Sequence, residues 1–234
     1  MSKILYRPKL VNITSINYGA LYKWAVVTDI RNIAASGFEV PAYAKSEILS
    51  TYLGGNTISG GKLKETGIIY WIAPNSFSFN TVNFNARGGG FRSPIGTFSN
   101  LGQSCRIWNV NSYDTTYAYL INLVSADDNY NAGLLEKTYG FSIRLMKTTP
   151  SVEDLAKADG EACDPYVGND GKYYRTVKIG TQVWVADNLF ETKFRNGDYI
   201  HGYEAGVYTP ISNANWATLT TEGMCIYDDD ITNA

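Results

Sequence analysis

The chain has 234 residues, of which 44% are hydrophobic and 18% charged, against about 25% charged in an average globular domain. That composition supports a real core in one large domain or two small ones, and it argues against disorder. A net charge of −2 without any long basic run lacks the electrostatic footprint of nucleic-acid binding.

Residues 1–12 are short, mixed and partly basic, and read as an N-terminal arm for docking to a partner. They hold no apolar stretch of the kind a signal peptide needs, so export by the usual secretory route is not expected. Tyr18 to Val27 reads as a strand or the entry to one. Pro41 opens a helix that Gly54-Gly55 closes, and Ala44, Ile48, Leu49 and Tyr52 recur at helical spacing as its predicted apolar face. From Gly55 to Gly102 the texture turns to Gly, Ser, Asn and Thr, which predicts long irregular loops around two ordered pieces, residues 67–73 and 84–92. The longest apolar run, Ile68 to Ala73, is far too short to span a bilayer. Gly88-Gly89-Gly90 does not open a helix and lacks the Lys-Ser/Thr of a phosphate loop, so it reads as a tight turn.

Residues 105–124 and 138–146 read as strands, and Tyr117, Tyr119, Ile121 and Leu123 alternate with Ala118, Leu120, Asn122 and Val124. Residues 126–131 form a polar turn between them. Residues 148–169 read as a linker with a capping box, Ser151 with Asp154, at the start of a short helix. Strand character returns at 173–189, where Lys178 to Gln182 predicts a hairpin turn. Cys105, Cys163 and Cys225 form neither a paired set nor a metal motif and read as buried free thiols.

Two segments carry a family resemblance. The first comprises Asp170-Gly171, Tyr174, Thr176-Val177, Ile179-Gly180, Gln182, Trp184, Asn188-Leu189, Gly197-Asp198, Trp216, Leu219 and Cys225 to Tyr227. The second runs through residues 17–147 and includes NYGALYKWAVV, ASGFEVP, GGKLKETG, ARGGGFR, GTFSNLG, YDTTYAY and YGFSIRLMK. Both resemble the Fibrobacter succinogenes major paralogous domain, but in reversed order: the segment that opens the family comes last here. The resemblance implies an α+β, C-type-lectin-like fold of short antiparallel strands, long loops and one or two helices, circularly permuted. Residues 170–234 would be the first half of the module, 13–147 its second half and 148–169 the joining linker. The halves could close within one chain or across chains as a domain-swapped homo-oligomer; a linker of this length favours the first. The sequence departs from the family where Ala34-Ala35 and Leu145 replace cysteines, leaving Cys225 without its implied partner. It departs again at Trp108 to Ser112, which replaces a Trp-Ser-Ser run.

Candidate ligand-binding residues concentrate in 105–131: Arg106, Trp108, Asn109, Asn111, Tyr113, Tyr117, Tyr119, Asn122, Asp128, Asn129 and Tyr130. Aromatic rings interleaved with amides suit adaptable recognition and sugar stacking. In lectin-like relatives this part of the fold carries the variable ligand face; the competing reading makes Tyr117-Ala118-Tyr119 a core strand. Catalysis is not expected, since His201 is the lone histidine and sits in a Gly/Tyr-rich loop. Asp127-Asp128-Asn129 and Asp228 to Asp230 read as solvated turns, so neither metal nor cofactor is expected. The expected role is a non-enzymatic recognition or structural module of a bacteriophage virion. It would contact a host surface glycan or protein and dock other virion proteins through 1–12, with a bacterial surface adhesin as the first alternative and an enzyme on a lectin-like fold as the second. No membrane partner is expected.

Overall fold

The computed structural model describes residues 17–234; the expected arm at 1–12 and residues 13–16 lie outside the described residues. The architecture is mixed α+β, with many short strands and a few short helices. The main sheet runs in the order Met224–Cys225, Leu21–Lys23, Gly140–Phe141, Gly89–Arg92, Ser104–Ser112, Tyr117–Val124 and Asn131–Glu136, with Phe98–Leu101 also paired to Gly89–Arg92. Its pairings are antiparallel except where Gly90 meets Cys105. A second sheet joins Thr176–Ile179, Gln182–Val185, Met146–Lys147 and Phe38–Glu39. The two extremes of the described chain meet in the main sheet: Leu21 pairs with Cys225, and the Asn17 amide donates to Ala234 O at 2.7 Å.

Several local expectations hold for visible reasons. Ser151 Oγ accepts from the Asp154 amide, and the Asp154 carboxylate accepts from the Ser151 amide, so the capping box starts the Val152–Leu155 helix. The hairpin at Lys178 to Gln182 turns on Gly180 at φ +59°, a conformation that costs glycine little. The three cysteines are free and buried, and burial pushes the Cys105 thiol up to about 11 and Cys225 up to about 12.

Others are corrected. Within 18–27 only Leu21–Lys23 is a strand, and Trp24–Val27 is a helical turn. The helix after Pro41 spans Tyr43–Tyr52, but Ala44, Ile48 and Tyr52 face outward while Ser46, Leu49 and Ser50 are buried. Its contact is partly polar, since Asn109 Nδ2 donates to Ser46 Oγ at 2.7 Å beside the apolar Leu49, so apolar spacing could not identify that face. Residues 67–73 are a bend with Ile68 and Ile69 exposed, and the Asn131–Glu136 strand falls at and beyond the predicted polar turn. The linker is integral to the fold. Tyr166–Val167 pairs with Tyr173–Tyr174, Tyr166 is buried in the largest apolar cluster, and the Tyr52 hydroxyl donates to Asp159 Oδ2.

The central hairpin, Ser104–Ser112 with Tyr117–Val124, is covered on both faces. Trp108, Ala118 and Leu120 join one apolar cluster, while Cys105, Ile107, Ile121 and Leu123 join another. Leu120 and Ile121 are adjacent and both buried, so simple alternation could not assign an outward face.

Polar groups hold these layers in register. Arg144 is fully buried, and its guanidinium donates to Asn188 Oδ1 (2.9 Å), Phe84 O (2.6 Å), Val185 O (3.2 Å) and Asn85 O (2.8 Å). Asn188 Nδ2 in turn donates to Tyr18 O at 2.8 Å. Arg144→Met would leave those carbonyls buried without donors, and urea unfolding should show a loss of roughly 3–5 kcal/mol. A loss under about 1 kcal/mol would mean that apolar packing alone fixes this junction.

Glu191 lies in the same interior, where burial first and Asp170 second push its carboxyl up to about 8. The folded state therefore holds a proton that the unfolded chain releases near 4.5. That stabilisation is complete below about pH 4.5 and fades as pH rises toward 8. Melting temperature should fall across this window, and Glu191→Gln should flatten the slope; an equally steep profile in the variant would assign the titration elsewhere.

Candidate functional site

An exposed aromatic surface stands at the tip of the central hairpin. The turn is built by Asp114, whose Oδ1 accepts from the amides of Thr116 and Tyr117, both at 2.7 Å. These two amides hold its carboxyl below the usual range. Ser112 Oγ donates to Asp114 O, and the Lys137 ammonium donates to Ser112 Oγ and to Asp114 O. The turn thus presents Tyr113 at 59% and Tyr117 at 39% exposure on a braced loop.

Behind it, Tyr119 stacks on Tyr43 with centroids 4.5 Å apart, and Tyr113 meets Tyr119 edge-on at 5.9 Å. Tyr43 opens the Tyr43–Tyr52 helix, whose N-cap residue Ala42 offers no side-chain acceptor. Asn111 supplies one from the hairpin: its Oδ1 accepts from the Tyr43 amide at 2.7 Å. The strand pairing shifts register between Trp108 and Ser112, and in that irregular stretch the Val110 amide donates to Pro41 O. Departure from regular pairing is therefore what lets the hairpin grip the helix and set Tyr43 against Tyr119.

Of the residues singled out in 105–131, the structure gathers Asn111, Tyr113, Tyr117 and Tyr119 at this tip. Three others face the interior, which corrects their reading as ligand contacts. Trp108 is 0% exposed, its Nε1 donates to Tyr22 O at 2.9 Å, and its ring packs on Phe141 at 4.3 Å. Asn109 is buried on Ser46 and Pro41. Tyr130 is buried in the second apolar cluster, and burial raises its hydroxyl far above the usual range. Arg106 is half-buried, with its guanidinium over the Phe91 ring at 4.1 Å, about 20 Å along the strand from Ser112. Asn122 lies opposite Arg106 in the ladder. Asp128 and Asn129 belong to a loop beyond the far end of the Tyr117–Val124 strand, beside Gly60 and Gly61. One sequence segment therefore serves three places, because an eight-residue strand separates its ends.

Two residues of this region lie outside the segment. Tyr43 joins the ring cluster, and Lys137 braces the turn while its ammonium lies 4.5 Å from the Trp24 ring centroid. Neither carries a local motif; only the fold brings them to the tip. His201 is exposed, and Asp229 accepts from the Tyr208 hydroxyl. Among the described residues no three of His, Cys, Asp and Glu gather as a metal-ion set, and no helix is long and apolar enough to cross a membrane.

The model of the Fibrobacter succinogenes major domain matches residues 6–147, more than half of the chain. The protein belongs to that family. No curated protein and no solved structure matches it.

Asn111→Ala removes the acceptor at the helix start and should cost about 1 kcal/mol. It should also release Tyr43, which near-ultraviolet circular dichroism would register as a weakened tyrosine signal. Unchanged stability and an unchanged signal would show that ring packing alone places Tyr43.

Proposed function

We propose that this member of the Fibrobacter succinogenes major domain family is a non-enzymatic recognition module. Its hairpin tip would contact a glycan or protein on a host surface. The observation that carries this reading is the braced tip itself, where Tyr113 and Tyr117 stand exposed on a turn held by Asp114 and Lys137. Tyrosine offers large contact area at small rotamer cost, and a fixed turn lowers the ordering entropy further. A C-type-lectin-like, circularly permuted arrangement belongs to the same proposal. It is supported by the pairing of Leu21 with Cys225 and by the hydrogen bond from Asn17 to Ala234 within one chain.

The module would work as a bacteriophage virion component, a decoration, fibre or tail protein. Three buried free thiols suit folding in a reducing cytoplasm, where this chain would be made before assembly.

The test pairs a glycan array and host-cell binding with the variant Tyr113→Ala/Tyr117→Ala. Binding should fall at least tenfold while the melting temperature moves by no more than about 2 °C, as expected for exposed sites. A Trp108 variant is unsuitable as a control, because that ring is core. Wild-type binding that survives the double change would remove the tip from the reading. Mass spectrometry of purified virions should find the chain; its presence on bacterial surfaces and absence from particles would favour an adhesin.

A further inference from the structure

A concavity lies beside the hairpin turn. It is a cleft of 370 Å³ between the Trp24–Val27 helix, the turn at Thr115, Lys137-Thr138 and the segment 217–221. Five threonines line it, Thr138 and Thr220 among them, together with Trp24 and the two lysines Lys23 and Lys137. The lining thus combines hydroxyls, one indole and two cations, and contains no carboxylate.

Lys23 is the unusual member. It is 2% exposed, yet its ammonium finds one long hydrogen bond, to Thr138 O at 3.4 Å, and the face of the Trp216 ring at 4.8 Å. Among the described residues no carboxylate lies within ion-pair distance of it. Its charged neighbour has the same sign: the Arg92 guanidinium lies over the same Trp216 ring at 4.5 Å, and donates to Gly96 O, Ile211 O and Asn213 Oδ1. Burial first and Arg92 second lower the Lys23 ammonium to about 8, so it stays mostly protonated at pH 7. Among the described residues Lys137 also forms no ion pair; its ammonium donates to Ser112 Oγ and Asp114 O. A buried cation without a counter-charge is costly, and a chain that keeps one at the floor of an open cleft has a natural place for an anion.

We propose that this cleft binds an acidic monosaccharide unit, with its carboxylate against Lys23 and Lys137 and its hydroxyls on the threonines. The volume lies at the small end of ligand pockets, which run from about 300 to 1,000 Å³, and so fits a single sugar ring better than an extended chain. Trp24 adds an apolar edge, its Nε1 already committed to Asn109 O at 3.0 Å. The hydroxyl-rich wall distinguishes a sugar acid from a bare anion, which would use the lysines alone. None of the four tyrosines lines it, so its ligand contacts differ from those of the hairpin tip, with Lys137 alone touching both.

The experiment is a titration of the full chain with glucuronic acid, glucose and sulfate, followed by indole and amide NMR shifts. Glucuronic acid should shift the Trp24 indole and the Thr138 and Thr220 amides, at least tenfold more tightly than glucose or sulfate. Lys23→Met should weaken glucuronic acid at least tenfold while leaving the melting temperature equal or higher, because it removes an unneutralised buried charge. If that variant does not fold, Lys137→Gln at the rim should reproduce the weakening. Equal affinity for glucose would overturn the role of charge. Equal affinity for sulfate would overturn the sugar. Full binding in the folded lysine variants would overturn the site.

Discussion

The fold depends on a buried cation that forms no ion pair among the described residues. Arg144 sits in the interior with carbonyls from Phe84, Asn85 and Val185 and the amide oxygen of Asn188 as its partners. Burial lowers its guanidinium to about 10, which still leaves it charged at neutral pH. Removing such a charge from water is affordable only when every donor finds an acceptor. Irregular chain supplies three of those acceptors, Phe84, Asn85 and Asn188, and the last residue of a strand, Val185, supplies the fourth. The loop character of residues 80–88 and 186–190 is thus required by the core rather than tolerated at its edge. Asn188 extends the same network to Tyr18 and so couples the sheet's terminal pairing, Leu21 with Cys225, to the centre.

This arrangement explains why polar side chains, more than apolar periodicity, set the positions that matter for recognition. Asn109 and Asn111 look like exposed amides in the sequence, yet one is buried on a serine and the other caps a helix from outside it. Their work is to hold Tyr43 against Tyr119. The rings at the tip are therefore presented by a network of amides reaching into the interior. Lys137 has a double position of the same kind, since it braces the turn on one side and lines the cleft on the other. Tip and cleft share that one side chain, so a change in the turn reaches both.

What could be read from the sequence was local. The capping box at Ser151, the glycine turn at Gly180 and the burial of unpaired cysteines each depend on a few adjacent residues, and each stands in the structure. The family resemblance extended further, because residues 6–147 carry enough fixed spacing to be matched as a unit. The outward face of the central hairpin was not legible. A strand covered on both sides is apolar at successive positions, as Leu120 and Ile121 are, and Trp108 gives no sign of which layer receives it. The cleft was least legible of all, since its lining comes from four separated stretches and none of them resembles a binding motif.

The location of that cleft ties recognition to chain closure. Its walls at Lys23 to Thr28 and at 217–221 flank the pairing of Leu21–Lys23 with Met224–Cys225, the contact that joins the late part of the chain to the early part. The Lys23 amide itself donates to Gly223 O at 2.9 Å across this seam. Any ligand seated in the cleft touches both sides of the junction at once and exists only when the junction is closed. By mass action it must then stabilise closure by the free energy with which it binds, just as loosening of the junction must weaken the ligand. The uncompensated charge of Lys23 costs stability at this seam in the free protein, and an anion seated in the cleft would relieve that cost.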